Sequence, residues 1–200
     1  MEQGGPAVRV RTLVDLAPSG AVNRNHLIEA VHDAVHNPAV SAVTTRQGVD
    51  GFWGGNFLAF QASPRDGIED VGTVAQYRRL LQLGLPTVTR PFRLADRLLF
   101  RTLSRDEDPL LYGEFFDSTV DDLDAAEWYR GLIREGASAA LAESGHQEDP
   151  RLRGSAHRII SQVSAFLRSD LADDPIIKRG AGAWQLHPEA APPSWWSVAM

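Results

Sequence analysis

Asp15 and Asp50 are the residues with which this chain could do metal-assisted chemistry at a phosphate. VRVRTLVDL alternates apolar and charged residues from Val8 and reaches Asp15 and Leu16 at its end. GVDGFWGGNFLAF, Gly48 to Phe60, sets Asp50 in a glycine-rich turn ahead of an aromatic run. Two hard oxygen ligands on rigid elements can hold Mg2+ against a nucleotide's phosphates. Gly51, Gly54 and Gly55 would let a phosphate approach the backbone. The plainer use of the same residues is structural, because Asp-Gly is a favoured hairpin-turn pair. Asp50 is therefore expected first as a turn former, and Mg2+ enters only if the carboxylate pair is catalytic.

Histidines supply a second set. Glu29, His32 and His36 share one side of an expected helix, and the two imidazoles stand one turn apart, a spacing that can chelate Zn2+ or Fe2+. Glu143 and His146 repeat the Glu-x-x-His pattern of two-helix carboxylate sites. Gly145 falls inside that second motif and is expected to end its helix.

The third set is cationic. Arg93, Arg97, Arg101 and Arg105 recur every four residues with Arg90 just ahead, so on a helix they form one row. Like charges at that spacing repel, and something should offset them. An external anion or acidic partner could do so. So could the acidic segment that follows, which runs from Asp106 to Glu127 and includes Asp108, Asp117, Asp122 and Asp124. Self-pairing of this kind is the simpler expectation. The Pro-rich tail PEAAPPSWWSVAM ends in Trp195 and Trp196, costly to leave exposed, and expected to fold back or meet a partner.

Two weaker patterns lie near the C-terminus. DPIIKRGAGAWQL after a helix could be the wing of a winged-helix module, with Lys178 and Arg179 near phosphates. The Arg151 and His157 of RLRGSAH have a spacing that resembles the loose pattern of HEPN-type ribonucleases, but no four-helix bundle is expected here, and the match is assigned to chance.

These residues need elements to position them. Residues 7–62 read as strand, helix, strand, hairpin and strand: Val8 to Leu16 alternates, Leu27 to Val35 has helical spacing, Ala39 to Thr45 is β-branched, and Phe52 to Ala62 is aromatic-rich. Asn37-Pro38 is expected to stop the first helix. Ile68 to Leu83 reads as a helix and Thr87 to Thr89 as a short strand. Further helices are expected over about 92–104, from near Ser118 or Thr119 to near Gly145, and over about 151–171, with a hairpin in DPIIKRGAGAWQLHP, two short apolar strands around Arg179 to Gly182. The fold class this predicts is α+β: an N-terminal ferredoxin-like or palm-like β-α-β-β layer, then a mainly helical C-terminal half ending in a small β-hairpin. The division expected is 1–90 for the layer, 91–187 for the helical region packed with it, and 188–200 for the tail. In phosphoryl-transfer enzymes of palm-like topology, the end of the first strand and the next hairpin carry the metal-binding carboxylates, which is what draws Asp15 and Asp50 together.

Composition bounds the function. The 200 residues are 43% apolar, enough for a real core, with a formal charge of −6. That charge argues against non-specific nucleic-acid binding. There is no cysteine, which removes disulfides, thiolate metal sites and a cysteine nucleophile and fits a reducing compartment. MEQGGPAVRVRTLV has no apolar stretch of signal-peptide length, and no run approaches the ~18 apolar residues of a membrane span, so a cytoplasmic protein is expected. There is no G-x-S-x-G elbow, P-loop or Rossmann fingerprint. The leading expectation is a non-catalytic interaction or regulatory domain that recognises an acidic protein partner or anionic small molecule, with a homo-oligomer left open. The alternatives are a metal-dependent enzyme processing a nucleotide or small molecule at Asp15 and Asp50, and a winged-helix-like nucleic-acid module.

Overall fold

The protein is described here from a computed structural model, over residues 5–16, 23–58, 72–104, 108–120, 122–179, 183–187, 190 and 194. Its N-terminal part is helical where a β-α-β-β layer is expected. Helix α1 covers Pro6–Arg11 and continues into a π-helical turn, Thr12–Leu16. The alternation in VRVRTLVDL is overridden by a three-residue spacing: Val10 is buried and Leu13 half-buried, and both pack on Ala30 and Ala34 of helix α2, Arg24–Val35. Arg9 pairs with Asp33 of α2 at 2.9 Å, which fixes the two helices side by side.

The β-branched run is helix α3, Pro38–Thr44. Asn37-Pro38 does stop α2, but it also starts α3. The Asn37 side chain accepts the Ala39 N–H at 2.9 Å, and Pro38 sits in the first turn, where its missing N–H costs nothing. Helical propensity of valine and threonine is only a few tenths of a kcal/mol below average, and a cap of this quality offsets it.

Residues 47–58 form a folded loop in place of a hairpin and strand. Isolated bridges join Gln47 to Trp53 and Trp53 to Asn56. Trp53 is buried, its indole N–H donating to the Val43 carbonyl at 2.8 Å. Phe52 and Phe57 meet edge to face beside it. The aromatics of the run are thus core anchors of a loop, and Phe60 lies outside the described residues. Gly51 has φ +97°, and a Cβ there would stand 2.6 Å from the Leu94 carbonyl oxygen, so glycine is what lets the loop lie on the helix that carries the arginine row.

Helix α4, Thr73–Gln82, matches the helix expected over Ile68 to Leu83 within the described residues, and Thr87 to Thr89 is a turn in place of a strand. Helix α5 is Arg90–Thr102. A 3-10 segment, Pro109–Phe115, and the short helix α6, Phe116–Thr119, lead to helix α7, Leu123–Glu143, and then helix α8, Pro150–Leu167. Asp122 and Asp149 cap α7 and α8 through the N–H groups of Ala125 and Arg151, each at 2.9 Å. Strands β1, Ile176–Arg179, and β2, Ala183–Leu186, form the expected antiparallel hairpin, with Ile176 opposite Leu186 and Lys178 opposite Trp184.

The architecture among the described residues is therefore mostly helical, eight α-helices with a two-stranded hairpin. Helix α7 is the axis. It packs on α4, α5 and α8, and its run Gly136–Leu141 is buried throughout. Those small residues admit neighbours closely, and Ser138 meets Ser155 of α8 at 2.8 Å. One core extends from Val40 and Val43 through Tyr77, Leu80, Phe92 and Leu99 to Ile133, Leu141 and Leu152, crossing the residue-90 boundary without a break.

Candidate functional site

Helix α5 has a sharply two-sided face pattern. Phe92, Ala95, Leu98 and Leu99 are buried, while Arg90, Arg93 and Arg97 are exposed. No carboxylate among the described residues pairs with these three guanidinium groups. Arg101 differs: it reaches Asp108 at 2.7 Å, so among the described residues the acidic segment pairs with the row at its C-terminal end. Arg105 lies outside the described residues. The placement is also unfavourable for the helix itself. Arg90 and Arg93 occupy the first turn, where the macrodipole is positive, and no acidic residue stands there to offset them. The Thr89 side chain donates back to the Pro86 carbonyl at 2.8 Å and does not cap the turn. The result is a concentration of positive charge with no carboxylate partner among the described residues, on a chain of net charge −6.

The carboxylates Asp15 and Asp50 are engaged locally. Asp15 is exposed in the π-helical turn and pairs with Arg11 at 2.9 Å. Asp50 is exposed in the loop and accepts the Phe52 N–H at 3.1 Å, the hydrogen bond of an Asx turn. On α2, Glu29, His32 and His36 are exposed. The His32 and His36 rings lie 4.1 Å apart, and His36 uses Nδ1 to bond the His32 carbonyl at 2.8 Å. Among the described residues no three acidic or imidazole groups are arranged to hold a metal ion.

Glu143 and His146 part company. Glu143 pairs with Arg78 of α4 at 2.8 Å, and His146, past the end of α7, turns to Asp96 of α5 at 3.3 Å. The Tyr77 hydroxyl donates to the other oxygen of Asp96 at 2.6 Å. Burial, and then the Asp96 charge, raise the Tyr77 pKa well above its ordinary value. The guanidinium of Arg151 stacks on Phe100, whose ring edge also meets His146. Arg151 in turn bonds Asp149, and that hydrogen bond holds the Asp149 carboxyl below its usual range. Sequence spacing could not reveal this network, because it joins α4, α5 and the α7–α8 turn, each distant in the chain.

No family model matches the chain, and no curated protein or solved structure matches it. A pocket lined by Ala42, Val43, Arg46, Trp53, Gln76 and Arg79 has a volume of about 30 Å³, room for a water molecule and far below a nucleotide. On the hairpin, Lys178 lies over the ring of the exposed Trp184 at 5.8 Å, while the Arg179 side chain is outside the described set. Trp128 is exposed and meets the Tyr129 ring edge to face, while Tyr129 stacks on Phe115. Trp195 and Trp196 lie outside the described residues. No helix among the described residues is long and apolar enough to cross a membrane.

Proposed function

We propose that this protein is a cytoplasmic, non-catalytic interaction or regulatory domain that recognises an acidic protein partner through Arg90, Arg93 and Arg97. One observation carries the reading: three exposed guanidinium groups stand in a row on one helix with no carboxylate among the described residues to neutralise them. Repulsion within the row and opposition to the helix dipole cost stability, and a bound carboxylate surface offsets both. Arginine suits this role because its planar fork takes a carboxylate in two parallel hydrogen bonds.

The test is titration of a fluorescent poly-glutamate peptide into the protein at low and high salt. Wild type is expected to bind with an affinity that drops about tenfold or more between roughly 0.05 and 0.5 M salt. Arg93→Glu/Arg97→Glu is expected to lose that binding while its circular dichroism spectrum is unchanged. Equal binding by wild type and variant would sink the proposal.

A further inference from the structure

The arginine row is not set in a purely polar face. Val88, 77% exposed, stands two residues before Arg90, and Val49, 86% exposed, tops the loop whose Gly51 lies on α5 at Leu94. A partner fitted to this face carries carboxylates and apolar side chains together. The chain itself displays such a surface. On the outer side of the first two turns of α7, Leu123, Asp124, Glu127 and Trp128 follow one another at helical spacing. Leu123 is 87% and Trp128 59% exposed, and α6, packed against α7, adds the exposed Phe116 and Asp117 just ahead of the exposed Val120. Asp117 and Asp124 make no ion pair or hydrogen bond among the described residues, and Glu127 is felt by Arg134 only as a charge.

Resting on the proposed recognition of acidic surfaces by the row, we infer that the partner is a second copy of this chain, its face of Phe116, Asp117, Leu123, Asp124, Glu127 and Trp128 docked on the Arg90–Arg97 face of the first. The sizes agree. Arg90 to Arg97 rises about 10 Å along α5, and Leu123 to Trp128 about 8 Å along α7. Charge and apolarity are complementary on both sides, which gives the contact register as well as attraction. The two faces differ, so a single contact leaves one of each free, and association proceeds head to tail unless a two-fold arrangement pairs both at once.

Sedimentation equilibrium of the full chain tests this. Wild type is expected to gain mass with concentration at low salt and to return toward monomer near 0.5 M salt. Arg93→Glu/Arg97→Glu and Asp124→Arg/Glu127→Arg are each expected to remain monomeric, and an equimolar mixture of the two is expected to associate again. A wild type that stays monomeric, a variant that still associates with itself, or a mixture that does not associate overturns the inference. Poly-glutamate binding, measured alongside, separates the two failures. If it is retained, the row still recognises acidic surfaces and only the identity of the partner is wrong. If it is absent as well, both fall.

Discussion

Tyr77 shows how one buried hydroxyl ties two helices and a turn. It donates to Asp96 at 2.6 Å, and the far oxygen of Asp96 faces His146. Tyr77→Phe deletes the donor and leaves a mostly buried carboxylate with one partner fewer, so a loss of about 1–2 kcal/mol is expected in urea unfolding. The pH dependence has a definite sign. The folded protein holds the Tyr77 proton well beyond the ordinary range, whereas the unfolded chain releases it near pH 10. This contribution is complete below about pH 10 and declines above it by up to about 1.4 kcal/mol per pH unit. Tyr77→Phe lacks that slope, so the stability gap between it and wild type should narrow in alkaline solution. Asp50 illustrates the opposite case. Its turn role was legible in the sequence because Asp-Gly acts on its own backbone two residues away, and the Asx hydrogen bond to Phe52 is of that kind.

Helices α5 and α3 mark what can and cannot be read from one element. The four-residue arginine spacing placed α5 correctly, and the buried Phe92, Ala95 and Leu99 follow from the same period. The row's relation to the helix dipole yields a second expectation. Arg93→Glu puts a negative charge in the first turn and relieves repulsion with Arg97, so it should leave stability unchanged or raise it by about 0.3–1 kcal/mol, again read by urea unfolding. A variant that binds worse yet is more stable would mark the row as selected for contact. A clear loss of stability would mean that Arg93 serves the fold. Helix α3 was illegible for a local reason: β-branched residues suit both states, and seven residues are too few for a period to decide.

At the scale of the molecule, one large core and one small one have different prospects. Tyr77, Phe92, Leu99, Ile133 and Leu141 belong to the core around α7, whereas α1 and α2 meet over a small cluster of Val10, Ala30 and Ala34 with Leu13 and Val31 packed against it. Native-state hydrogen exchange should therefore find the α7 amides opening only with global unfolding and the α1–α2 amides opening at markedly lower free energy. Uniform protection in both would show that α1 and α2 unfold only with the rest.

The sequence by itself determined the presence of helices in the C-terminal half, the terminal hairpin and the arginine row, because each depends on interactions within a few residues; the start of α7 at Leu123, capped by Asp122, replaces the start expected near Ser118 or Thr119. It also fixed the exclusions that follow from having no cysteine. Tertiary structure decided helix α1, where VRVR could satisfy either backbone and contact with α2 selected helix; in α3 the β-branched run could also satisfy either, and the local cap at Asn37 favours helix. Tertiary structure alone decided that Glu143 and His146 separate toward Arg78 and Asp96, and that Trp53 is a loop's anchor in the core. Most of all, it decided which arginines have partners. Pairing is a matter of distance in space, and the acidic segment that follows the row in sequence reaches Arg101 through Asp108 and leaves Arg90, Arg93 and Arg97 without a carboxylate among the described residues.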